Sequence, residues 1–142
     1  MDKQFCKIIN KTMSWAEAIK ASAQTLLEEN YFNENYVIEM IENVKKFGSY
    51  IVIAPKIALP HASYSKNVFK GGFSITIFPL GIDFQASSGP VYILVTISST
   101  NNEEHLQRLK EISSKLSNQA VVTSLLEAQS SEIVWEKWNE VT

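Results

Sequence analysis

Apolar residues recur at helical spacing early in the chain, alternate with polar ones in the middle, and return to helical spacing towards the end. Trp15, Ile19, Ala23 and Leu26 form the first stripe, and Ser14 followed by Glu17 makes the capping-box pairing, so the spacing predicts a helix over 14–29. A second helix is expected over 33–47, capped by Asn33, with Val37, Met40, Ile41 and Val44 inward and Gly48 as its left-handed stop. The run Tyr50–Pro55 is continuously apolar and rich in β-branched residues, which reads as a buried strand. Gly72–Leu80 alternates Phe73, Ile75 and Ile77 with Ser74 and Thr76, a strand that Gly81 should end in a turn. Val91–Ser99 reads as the central strand, and Ile8–Ile9 as a short edge strand. Beyond it, Asn101 with Glu104 caps a helix through Leu106, Leu109, Ile112 and Leu116. Asn118 starts another, carrying Val121, Val122, Leu125 and Leu126, and Ser131 caps a last one with Val134, Trp135 and Trp138.

Two helices, three or more strands and three helices predict an α/β (α+β) fold of three layers, a mixed sheet with helices packed on both faces. The 142 residues, 45% hydrophobic and 20% charged, suffice for one well-buried core, and no linker or repeat divides them, so a single domain over 1–142 is expected. A net charge of -2 gives no field that would favour nucleic acid or an anionic membrane. The single cysteine, Cys6, excludes an internal disulfide framework and a cysteine-built zinc site. No apolar run reaches the roughly 20 residues of a membrane span, and the polar N-terminus lacks the form of a secretory signal. Together these point to a cytoplasmic, soluble protein with no direct membrane insertion.

Two histidines are the residues most suggestive of chemistry. His61 follows the first strand in Ala58-Leu59-Pro60-His61-Ala62, where Pro60 stiffens the approach and the alanines leave the ring open. His105 falls in the first turn of the helix after the central strand, where free N–H groups and the positive end of the dipole favour an anion. Either alone reads as a structural or surface residue. As a pair they say more, because loops that follow strands of one sheet converge at its edge. A neutral imidazole nitrogen can attack phosphorus, and a second imidazole can stabilise the charge that arrives with it. A metal site would need further ligands, yet no carboxylate stands near His61, and Glu103 and Glu104 fit helix-end roles.

Other chemistries lack their signatures. The chain has no G-x-x-x-x-G-K-[ST] loop and no G-x-S-x-G elbow; Gly71-Gly72 reads as a strand entry. Cys6 has no histidine near it in sequence, Lys45-Lys46 suits a solvated helix end, and Trp15, Trp135 and Trp138 read as core.

The stretch from Gly48 to Ala62, GSYIVIAPKIALPHA, resembles the active-site segment of the enzyme IIA component of the bacterial sugar phosphotransferase system. The branch is the fructose–mannitol superfamily, and the YIVIAP lead-in looks most like its ascorbate-type subgroup. The resemblance continues through Val68–Leu80, Val91–Ser99 and the segment Glu104-His105-Leu106-Gln107-Arg108-Leu109, which is similar to the family's second-histidine motif. It spans roughly residues 14 to 139, and the two histidine segments in this order make it specific. It implies that Nε2 of His61 takes a phosphoryl group from the histidine-containing phosphocarrier protein and passes it to a cysteine of a IIB component during sugar uptake. His105 would stabilise the group in transit, with no metal, nucleotide or other cofactor required.

Two departures concern the phosphate contacts. Lys56 stands where the family pattern has glycine, and the arginine that helps hold phosphate in the mannitol branch has no counterpart in Asn43-Val44-Lys45-Lys46. Arg108, Lys56 and Ser99 are the candidates to supply the missing contact. A regulatory protein that signals through the state of His61 is the first alternative function, and a binding module with an inert His61 the second. The sequence leaves open ascorbate, mannitol, fructose or galactitol as the sugar, and also a homodimer.

Overall fold

A computed structural model describes residues 1–140. After a 3-10 turn at Lys3–Phe5 the elements are β1 (Cys6–Ile8), α1 (Trp15–Glu28), α2 (Glu34–Phe47), β2 (Val52–Ala54), β3 (Lys56–Ala58), β4 (Gly72–Ile82), β5 (Val91–Ser98), α3 (Asn102–Leu116), α4 (Gln119–Glu127) and α5 (Ser131–Asn139). The strands form one mixed sheet in the order β1-β4-β5-β3-β2, with β5 central as its apolar run predicts. β1 runs parallel to β4 and β3 parallel to β5, while β4–β5 and β2–β3 are antiparallel.

The pleat divides the core in two. Ile75, Ile77, Ile93, Val95 and Ile97 pack with Ile112, Leu116, Val122, Leu125 and Trp138 of α3–α5. Phe78 and Leu94 pack instead with Ile19, Leu26, Tyr36 and Met40 of α1 and α2. Each large apolar side chain so buried contributes about 1.5–3 kcal/mol relative to exposure. The polar positions of β4 are not solvated, because α1 covers them. Ser74 donates to the Ser22 carbonyl at 2.7 Å, Ser22 and Thr96 share a hydrogen bond of 2.6 Å, and all three side chains are buried. The Ser14–Glu17 capping box and the caps at Asn33, Asn101 and Asn118 form as their spacing predicts.

Several expectations are corrected. The run Tyr50–Pro55 is not one buried strand: Ile51 is buried, but β2 is the sheet's edge and its Ile53 is 45% exposed. The chain reverses at Pro55–Lys56, and the inner place beside β5 goes to β3. Gly81 ends nothing; β4 continues through it to Ile82, and its φ of 82° lies in a β-bulge where the register to β5 shifts. Leu106 is 68% exposed, and the buried stripe of α3 is confined to Ile112 and Leu116 further along the helix. Ser130, not Ser131, caps α5 by accepting from the Ile133 N–H. Of the tryptophans only Trp138 is fully buried; Trp15 and Trp135 are half-buried, and the Trp135 indole donates to the Met1 carbonyl.

The reversal at Lys56 holds that residue at φ 75°, a conformation that crowds any Cβ. The glycine of the family pattern would suit this backbone angle. Relief of left-handed strain, about 1–2 kcal/mol, exceeds the added unfolded-state entropy of glycine, about 0.4–1 kcal/mol. Lys56→Gly is therefore expected to raise stability to urea by about 0.5–1 kcal/mol, while Lys56→Ala, which keeps the Cβ, should give no such gain.

Candidate active site

Parallel pairing of β3 with β5 brings the segments that follow them to one edge of the sheet. The pairing extends past β3: the Ile97 N–H donates to the Pro60 carbonyl at 3.0 Å, and the Leu59 N–H donates to the Ile51 carbonyl at 2.8 Å. His61 comes next, on a backbone held from both sides. Tyr50 Oη donates to the His61 carbonyl at 3.1 Å, and the Ala62 N–H donates to Tyr36 Oη at 3.2 Å. Tyr36, fully buried, donates its own O–H to the Ile97 carbonyl at 2.7 Å. One peptide group is thus clamped by two tyrosines from α2 and the segment that follows it.

His61 Nδ1 bonds to the Leu59 carbonyl. A carbonyl only accepts, so Nδ1 carries the hydrogen, and in the neutral ring Nε2 keeps a free lone pair. Burial holds the His61 pKa below its ordinary 6.5, against the smaller upward pull of the Leu59 carbonyl. The ring is therefore neutral at pH 7.

His105 sits on the first turn of α3, where the Asn101 side chain caps the Glu104 N–H at 2.8 Å. Its ring centroid lies 5.2 Å from that of His61. Burial first, then the neighbouring His61 and Arg108, hold its pKa below the ordinary value as well. The two rings open on a cleft of about 260 Å³, lined also by Asn43, Phe47, Tyr50 and Ser63. Tyr50 meets His61 edge-on at 5.6 Å and Phe47 at 6.1 Å. Two neutral imidazoles side by side, each with one bare and one protonated nitrogen, suit transfer of an anionic group that neither ring must first lose a proton to engage.

The other residues singled out from sequence lie as follows. Ser99 is buried behind His105, its Oγ 3.2 Å from Nδ1. Arg108 reaches back along α3 to Glu104 Oε1 at 3.0 Å, the Ser98 carbonyl at 3.1 Å and Ser99 Oγ at 3.3 Å. Lys56 opens β3 opposite Val91, at the end of the strand away from His61, and is exposed. The structure thus gathers His61, His105, Ser99 and Arg108 and leaves Lys56 apart. Cys6 is buried in β1, and burial pushes its thiol up to about 12, far from a reactive thiolate. Among the described residues no group of three His, Cys, Asp or Glu side chains is placed to hold a metal ion.

Tyr36, Tyr50 and Asn43 escaped the sequence reading. Tyr36 stands four residues before Met40 on the inward stripe, so its burial was legible, but spacing carries no sign of what a hydroxyl will bond. Asn43 and Phe47 share a helix face, and only the fold reveals that this face ends beside His61.

The family model described as "Phosphoenolpyruvate-dependent sugar phosphotransferase system, EIIA 2" matches residues 1–140. The mannitol-specific cryptic phosphotransferase enzyme IIA component of Escherichia coli K12 is 30% identical over 123 residues, 87% of this chain and 84% of that protein. Its solution structure superposes with a TM-score of 0.88 over 97% of this chain and 93% of that one, at 27% identity. The ascorbate-specific EIIA component of the same strain is 31% identical over a shorter 93 residues, 65% of this chain and 60% of that protein. A structure of the E. coli mannitol enzyme IIA in complex with phosphorylated enzyme IIB shares the fold, with a TM-score of 0.80 over 94% of each chain at 22% identity. With nearly the whole sequence matched, this chain belongs to the EIIA 2 family of the phosphoenolpyruvate-dependent sugar phosphotransferase system.

Proposed function

We propose that the chain is a phosphoryl carrier in which His61 takes the group from a histidine-containing phosphocarrier protein and yields it to a IIB component during sugar uptake. The observation that carries this reading is the bond from His61 Nδ1 to the Leu59 carbonyl, which leaves Nε2 bare beside His105. In the first step the Nε2 lone pair forms a bond to phosphorus while the bond to the donor histidine breaks, and the donor nitrogen keeps that electron pair. In the second, a thiolate of the IIB component forms the P–S bond and the P–N pair returns to Nε2. Transfer through a loose transition state asks mainly for positioning and charge stabilisation, which the clamped backbone and the adjacent neutral donor supply. Phe47 and Tyr50 beside the cleft, and Leu106 next to His105, offer exposed apolar surface on which a partner protein can settle.

Incubation with the phosphorylated carrier should add one acid-labile phosphate, which His61→Ala abolishes and a IIB component discharges. Unchanged labelling of His61→Ala would place the nucleophile elsewhere, and label that no IIB component discharges would favour the regulatory alternative. Because burial lowers the His61 pKa, acceptance should stay level from pH 8 down past 6.5 and fall only as further acid protonates Nε2. A pH–rate profile with its midpoint at or above 6.5 would contradict this. Loss of one aligned donor costs about 10²–10³ in rate, so His105→Ala should slow transfer by that order while remaining folded. His105→Gln, which keeps a neutral donor, should transfer clearly faster than His105→Ala; equal, near-wild-type rates for both would make His105 a bystander.

A further inference from the structure

Ser99 directly follows β5 with 2% of its surface exposed, too deep to touch a phosphoryl group in the cleft. Its hydroxyl has two neighbours, His105 Nδ1 at 3.2 Å and Arg108 Nη1 at 3.3 Å. Arg108 is fixed as well: the same Nη1 donates to the Ser98 carbonyl and to Glu104 Oε1, and Glu104 is held in turn by the Thr100 N–H and hydroxyl at 3.1 Å each. A guanidinium can only donate. The two hydrogens of Nη1 are shared among three acceptors, of which Ser99 Oγ is one, and the buried serine's own O–H has only His105 Nδ1 left to point at. A ring nitrogen that accepts a hydrogen bond carries no proton, so in neutral His105 the proton lies on Nε2.

We propose that Arg108 and Ser99 are positioning residues that act through His105, locking it as the Nε2–H tautomer so that it offers a donor to the group on His61. In this assignment Arg108 need not reach the phosphate. Its charge stays paired with Glu104 and is expressed through the orientation of one serine hydroxyl. The same charge disfavours a second proton on His105, which keeps the ring a neutral donor with one defined N–H. His61 and His105 then hold opposite tautomers: His61 is protonated on Nδ1 and bare on Nε2, while His105 is bare on Nδ1 and protonated on Nε2. Nucleophile and donor are distinguished by the backbone carbonyl behind one ring and the serine behind the other. A free imidazole populates both tautomers, so the lock removes a population that could not donate.

The kinetic half of this inference rests on the carrier reading above; the tautomer half does not, and it is tested on the unphosphorylated full chain with no partner present. Nitrogen-15 NMR of the histidine rings, at a pH where both are neutral, reads the tautomer directly; the chain has two histidines, and His61→Gln assigns the other. His105 should show a pyridine-type Nδ1 and a pyrrole-type Nε2. Ser99→Ala, nearly isosteric, and Arg108→Met, which cannot donate, should both add a population protonated on Nδ1, and Arg108→Lys should restore the wild-type pattern. In transfer assays the first two variants should be about 10–100-fold slower, the scale known for lost partners behind metal-ligating histidines, with Arg108→Lys nearer to wild type. Protonation of Nδ1 in the wild-type protein would overturn the proposal, as would an unchanged tautomer pattern in both Ser99→Ala and Arg108→Met. Whether His61 takes up phosphate at all is read separately, by acid-labile labelling, and bears on the carrier reading alone.

Discussion

The parallel pairing of β3 with β5 is the constraint on which the rest depends. Neighbouring strands lie about 4.8 Å apart, and residues that leave two parallel strands at the same end inherit that spacing. The pairing brings His61 and the first turn of α3 to the same end of the sheet, where the two rings lie 5.2 Å apart. An antiparallel β3 would send the segment after it to the opposite end of the sheet. The hairpin from β2 makes the parallel direction reachable, and the strained angle at Lys56 belongs to that reversal.

On this frame two identical side chains are given different surroundings by what stands behind them. The Leu59 carbonyl accepts a hydrogen bond from Nδ1–H of His61, and the Ser99 hydroxyl meets Nδ1 of His105. Burial keeps both rings uncharged near neutrality, so an incoming anion meets directed dipoles and no pair of competing cations. The clamp by Tyr36 and Tyr50 matters for the same reason. A ring can be aimed only if the backbone beneath it does not turn, and both polar atoms of the His61–Ala62 peptide are tied.

Layering, helix caps and the central place of β5 were legible in the sequence because each depends on local chemistry or on a short period. Ser14, Asn33, Asn101 and Asn118 cap helices through atoms within three residues of themselves. The failures have a different origin. Tyr50–Pro55 reads as a buried strand because a β-branched run looks alike at the edge and in the middle of a sheet. The place at β5 was decided by the reversal at Pro55–Lys56, which spacing does not reveal. Leu106 keeps the helical period yet is exposed, and Gly81 signals an unusual backbone without saying whether it turns or bulges. At the site, the histidine pair was visible from order and motif. The bonds behind the two rings and along the His61 backbone come from a carbonyl, a buried serine and two tyrosine hydroxyls, none of which has a pattern in one dimension.

Gly71 shows how far such bonds can reach. A methyl group there would lie 1.9 Å from Glu104 Oε1 and 2.9 Å from Arg108 Nη1, so the carboxylate and the guanidinium occupy the volume that its missing side chain leaves. The residue touches neither histidine, and its backbone angle makes no demand for glycine. What it guards is room for an ion pair, and the two ends of flexible side chains can swing away from an added methyl at small thermodynamic cost. Alanine at this position would pass a screen for folded protein and still rearrange the charges behind His105. A site of this kind can thus be altered by a substitution that neither a stability measurement nor a map of distances from His61 would flag.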